Sequence, residues 1–197
     1  TIFTKRQKDV LEKAVEMGLT LLFGCRSGYK DETGRCYTMP MPGYVGELTG
    51  CQVEEYTYVS HFDTEVRIAW QDKQAAAREF HDVLEVTDGQ VEAVFSGRGC
   101  HYDGKPAIVS KKTGKGCAYY VGTIFTEELA RMIVETMELT KLSPAYGEIK
   151  LPETVELCRR GDVTFLLNYE ETPARIYLKE RKIDLLTGEE VQGEAEI

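Results

Sequence analysis

The sequence predicts an α/β domain followed by a smaller all-β unit, and three stretches carry that prediction. Thr4-Lys-Arg-Gln7 opens an amphipathic run that Gly18 closes, and the apolar stretch Leu19-Thr-Leu-Leu-Phe23 follows at once. A helix feeding a short apolar strand is half of a βαβ unit, and such a strand reads as buried within a parallel sheet. Beyond Gly147, the runs at 155–157, 163–169 and 174–178 alternate apolar with polar residues, the period of two that strands require.

Each element has a local reason. Thr4 and Gln7 stand at capping-box spacing, and Val10, Leu11, Ala14 and Val15 share a helical face, which predicts a helix over 5–17. A strand over 19–23 follows, and its polar exit Cys25-Arg-Ser-Gly28 lies at the carboxyl end, where open α/β sheets place their contacts. Residues 24–43 form a loop punctuated by Gly28, Gly34, Pro40, Pro42 and Gly43, long enough to be functional or an interface element. A short helix over 44–49 closed by Gly50 comes next, then strands over 51–58, 64–70, 79–86 and 91–95. The β-rich runs 105–110 and 117–121 flank Lys111-Lys-Thr-Gly-Lys115 and make a hairpin with a solvated basic tip. Thr126, Glu127 and Glu128 open a second long helix, acids first as the macrodipole prefers, with Leu129, Met132, Ile133 and Met137 as its buried stripe. Leu142-Ser-Pro-Ala-Tyr-Gly147 reads as a linker to the β unit, whose turns are Arg160-Gly-Asp162, Glu171-Thr-Pro173 and Thr187-Gly188. At ~50 residues that unit is marginal alone.

Composition excludes several functions. A net charge of −9 disfavours nucleic acid, whose binding depends on neutralising phosphates. No apolar run approaches the ~18 residues of a membrane helix. Six cysteines, at 25, 36, 51, 100, 117 and 158, show none of the close pairing of a metal site and read as reduced thiols, mostly small core residues, in a cytoplasmic protein. Neither a metal nor a cofactor is expected. Gly97-Arg-Gly99 lacks the third glycine and helix of a dinucleotide fingerprint, and in Thr113-Gly-Lys-Gly116 a glycine follows the lysine where a P-loop has Ser or Thr.

Gly24-Cys25-Arg-Ser-Gly28 after a strand invites comparison with a nucleophile elbow. A thiol nucleophile needs a base held by a third group. His61, His81 and His101 each precede an Asp by one or two positions, and none stands in a His-x-Glu arrangement. A structural Cys25 is the reading preferred.

Residues 19–32, Leu-Thr-Leu-Leu-Phe-Gly-Cys-Arg-Ser-Gly-Tyr-Lys-Asp-Glu, resemble the strand and loop of the trimerisation domain of glycoside hydrolase family 42 β-galactosidases. Gly104-Lys-Pro-Ala-Ile-Val109 with Thr113-Gly-Lys-Gly-Cys-Ala-Tyr-Tyr-Val-Gly122 resembles a hairpin late in that domain. Phe165-Leu-Leu-Asn-Tyr169 and Asp184-Leu-Leu-Thr-Gly188 resemble the family's C-terminal β domain.

The resemblance implies a partial class I glutamine-amidotransferase-like (flavodoxin-like) domain over 1–143, N-terminally incomplete. A small antiparallel β domain over 150–197, cut near its last strand, is implied after it. The family's catalytic glutamates lie on a (β/α)₈ barrel of ~250 residues, which this chain has no room for. The chain is therefore expected to carry no catalytic residue and to be inactive alone. The parent enzyme would act in carbohydrate metabolism, hydrolysing terminal non-reducing β-D-galactosides with retention. The implied assembly is a cytoplasmic homotrimer, with Arg26, Ser27, Lys30 and Asp31 as candidate interface residues. The rival reading is a free-standing amidotransferase-like enzyme with Cys25 as nucleophile.

Overall fold

The computed structural model describes residues 1–59, 65–139 and 149–197, and the chain divides into two compact units between Thr136 and Met137. The sequence reading puts the domains at 1–143 and 150–197. Its linker at 142–147 and His61 lie outside the described residues.

The first unit opens with α1 (Lys5–Glu16), whose capping box is complete. Gln7 N donates to Thr4 Oγ1 at 3.3 Å and Thr4 N donates to Gln7 Oε1 at 2.8 Å. Leu11 and Val15, four residues apart, face the core, whereas Val10 is rotated off that seam and stands 61% exposed.

A six-stranded sheet follows the order β1-β8-β7-β6-β3-β4, built from β1 (Thr20–Phe23), β3 (Val66–Trp70), β4 (Lys73–Ala77), β6 (Gln90–Ser96), β7 (Pro106–Thr113) and β8 (Gly116–Val121). β1 is a half-buried edge strand here, not the centre of a parallel sheet. Its pairing with β8 is parallel, in the register Thr20↔Cys117 to Phe23↔Tyr120, and the other four pairings are antiparallel. After β1 comes α2 (Tyr44–Thr49), stopped at Gly50 in the left-handed region, φ 72°. β4 has no counterpart in the sequence reading. Ala75, Ala76 and Ala77 carry a helix former's composition, yet they are buried as strand.

β2 (Cys51–Val59) and β5 (Glu79–Val86) form a separate antiparallel ribbon. Leu84 on β5 joins Phe3, Val15, Val45, Leu48, Val109 and Tyr120 in one core cluster, and residues 81–84 are all buried. α3 (Glu127–Thr136) buries Leu129, Met132 and Ile133, while Glu128 accepts from Ala76 N at 3.0 Å and Arg67 at 3.0 Å. The hairpin tip is not merely solvated: Lys115 N donates to Glu16 O at 3.0 Å, and Lys111 pairs with Asp88 at 2.8 Å. All six cysteines are free, but only Cys51 is buried, so the reading of most as core residues does not hold.

The second unit contains β9 (Ile149–Lys150), β10 (Val155–Arg160), β11 (Val163–Asn168), β12 (Arg175–Ile183) and β13 (Glu190–Glu196). β12 lies between β13 and β9, and β10 pairs with β11, all antiparallel. Val155, Leu157, Ala174, Ile176 and Leu178 are buried. Phe165 and Leu167 on β11, and Tyr169 just past its end, are 47%, 41% and 71% exposed.

Candidate functional site: a pinned loop and an aromatic shelf

Alternation along β5 puts Phe80, Asp82 and Leu84 on one face and His81 and Val83 on the other. Asp82 is fully buried, and a carboxylate there requires donors. It has three. Tyr29 Oη donates to Oδ1 at 2.9 Å, while Tyr120 Oη and the Arg26 amide each donate to Oδ2 at 2.7 Å. The Asp82 amide is itself held by Gly122 O at 2.7 Å, and a Cβ on Gly122 would overlap the Asp82 carbonyl.

Aiming its amide at Asp82 places Arg26 at φ 60°, a conformation that costs an L-residue ~1–2 kcal/mol. A hydrogen bond to a charged acceptor, worth ~1.5–3 kcal/mol, offsets that strain. Gly28, at φ 74°, fits the loop against Pro42 and Val45, and a Cβ there would lie 2.6 Å from Pro42 O. The loop's shape is thus set by tertiary contacts.

The Arg26 side chain lies over aromatic rings, its Cζ at 4.8 Å from the Phe80 centroid, 5.0 Å from Tyr56 and 5.4 Å from Tyr29. Tyr58 packs edge-on against Phe80 at 5.3 Å. Tyr56 and Tyr58 remain 56% and 59% exposed, so the shelf reaches the surface. Among the described residues no carboxylate or carbonyl accepts a hydrogen bond from the Arg26 guanidinium.

The other candidate interface residues behave differently. The Asp31 carboxylate accepts from Thr33 Oγ1 at 2.7 Å, Thr33 N at 2.8 Å and Arg35 N at 3.0 Å, closing its own turn. The Thr33 hydroxyl first, then those amides, lower its proton affinity. Lys30 uses its backbone in bridges to Ile2 and Cys36, with its side chain exposed. The Ser27 amide donates to Gly24 O at 3.3 Å.

Cys25 is a poor nucleophile. Burial first, and then the Asp82 charge, push its thiol up to about 12, so it stays protonated at neutral pH. His81 is not its base, because it faces the opposite side of the ribbon. There its Nδ1 lies 2.7 Å from Tyr102 Oη and its ring stacks on Phe95 at 5.1 Å. Burial depresses the His81 pKa to about 4. Neither fact supports the reading of Cys25 as an amidotransferase nucleophile. A shallow hollow beside α1, lined by Phe3, Arg6, Gln7, Val10 and Leu11, contains no acid–base pair. Among the described residues no cluster of His, Cys, Asp and Glu is placed to hold a metal ion.

The sequence reading picked out Arg26 but missed Asp82 and the aromatic residues around it. One signal was present: Phe80-His-Asp-Val-Leu84 puts an acid inside an apolar strand, which calls for buried partners.

Residues 1–141 match the family model described as the β-galactosidase trimerisation domain. β-Galactosidase Pbg of Clostridium perfringens is 26% identical over 200 residues, covering 95% of this chain and 28% of that protein. β-Galactosidase BgaA of Clostridium cellulovorans is 31% identical over 151 residues, 75% of this chain and 22% of its own length. Among solved structures, the family 42 β-galactosidase Gan42B of G. stearothermophilus superposes with a TM-score of 0.73 at 25% identity, covering 100% of this chain and 29% of that one. The chain spans under a third of the length of each of these relatives. Its residues 1–141 are the part that defines a family, and the chain belongs to the β-galactosidase trimerisation domains.

Proposed function

We propose that this chain is the non-catalytic assembly region of a β-galactosidase and that it brings three subunits together. The observation that carries the reading is the Arg26 shelf. A buried carboxylate fixes the backbone of an arginine whose side chain lies on three aromatic rings, of which Tyr56 remains exposed. Arg and Tyr at a preset, solvent-facing position have the composition of a protein–protein hot spot. The parent enzyme would hydrolyse terminal β-D-galactosides on a part of the protein outside this chain, in the cytoplasm, where free thiols such as these six persist.

The amidotransferase-like fold class belongs to the same proposal. Its support is α1 leading into β1 and the parallel β1–β8 pair.

Sedimentation velocity on the chain at micromolar concentration tests assembly, with a trimer expected and a monomer at every concentration overturning it. A chromogenic β-galactoside tests the non-catalytic assignment. No turnover is expected. Turnover abolished by replacing a carboxylate within residues 1–197 would contradict it.

A further inference from the structure

We infer that Arg26 is a receptor for a carboxylate side chain of a second copy of this chain, an inference that rests on the assembly proposed above. The guanidinium is preorganised on both sides. Below, Phe80, Tyr56 and Tyr29 hold it at 4.8–5.4 Å and restrict its rotation. Behind, the Arg26 amide is tied to the buried Asp82, so the side chain starts from a fixed root. What remains uncommitted, among the described residues, is its fork of N–H donors, which suits a carboxylate bidentately. Elsewhere in this chain arginines meet such partners internally: Arg67 reaches Glu65 at 2.7 Å and Arg131 reaches Glu127 at 2.8 Å.

Charge and symmetry specify the occupant. The chain carries 33 acidic against 24 basic residues, so a second copy offers surplus carboxylates. In a closed three-fold ring the contact is head-to-tail, so Arg26 meets a different patch of the next subunit and two Arg26 shelves never face each other. Tyr56 and Tyr58, exposed beside it, would exclude water from the pair once the copies dock.

Sedimentation of the wild-type chain and of Arg26→Met, with circular dichroism checking the fold, gives the first measurement. Losing one partner of a desolvated interfacial charge pair should weaken assembly ~30-fold or more. The second measurement uses Arg26→Lys, treated with a water-soluble carbodiimide after mixing ¹⁵N-labelled and unlabelled chains. The ammonium introduced at position 26 should form an amide with an Asp or Glu of another copy, seen by mass spectrometry as a mixed-isotope cross-link. The cross-link remains informative even if Arg26→Met fails to fold. Wild-type assembly by Arg26→Met overturns the inference, as does a cross-link confined to one chain or none at position 26. In those cases a wild-type trimer leaves the assembly reading standing. A wild-type chain that never associates removes both.

Discussion

Two carboxylates that accept from tyrosines at similar distances, one in each unit of this protein, do different work. In the first unit, Tyr29 and Tyr120 donate to Asp82 at 2.9 and 2.7 Å, with Asp82 and Tyr120 fully buried and Tyr29 6% exposed. In the second, Tyr169 donates to Glu156 at 2.9 Å, but Tyr169 is 71% exposed. Geometry alone does not separate them. Water does: at Tyr169 it replaces the bond when the partner is lost, whereas at Asp82 two buried hydroxyls and a part-buried amide would lose their acceptor. The buried contact therefore organises a loop and its surface arginine, and the exposed one decorates a strand.

The sharpest way to break this comparison is Asp82→Ala. It should destabilise the first unit by about 3 kcal/mol or more, because stranded donors cost ~1–3 kcal/mol each. Urea unfolding measures it, and a loss under 1 kcal/mol would mean that the buried carboxylate organises nothing.

His81 extends the comparison to a polar group buried on the other face of the same strand. Its pKa is about 4 when folded against about 6.5 unfolded, so the unfolded chain takes up the proton first as pH falls. Stability is therefore unaffected by His81 above pH 6.5 and declines between pH 6.5 and 4, by at most about 3 kcal/mol. His81→Gln should flatten the wild-type stability profile in that window, and parallel profiles would contradict the assignment.

A smaller effect is expected at Cys25. Cys25→Ser should change stability by about 1 kcal/mol and leave sedimentation unchanged, since the thiol is half-buried and burial keeps it protonated. Loss of assembly in that variant with a native circular dichroism spectrum would reopen a role for the thiol. The smallest effect belongs to Tyr169→Phe, where removing an exposed hydroxyl should cost no more than ~0.5 kcal/mol in thermal unfolding. A cost equal to that of Asp82→Ala would erase the distinction between the two sites.

Whatever depends on neighbours a few residues apart was legible in the sequence. The Thr4–Gln7 capping box starts α1, Gly50 stops α2, Gly161 turns β10 into β11, and the period of two along 155–157 and 174–178 marks the buried faces of the second unit. Such features are set by hydrogen bonds and side-chain spacing within one turn or one strand. Periodicity says that a strand has two faces and not which is covered, so Phe165, Leu167 and Tyr169 keep their alternation while facing outward. Only the tertiary structure made β1 an edge strand and drew the Ala-rich β4 into the sheet, because sheet neighbours and burial outweigh weak propensities. It also built the site. Tyr29 and Tyr120 stand 53 and 38 residues from Asp82, and no local rule joins residues that far apart until the ribbon and β8 pack together.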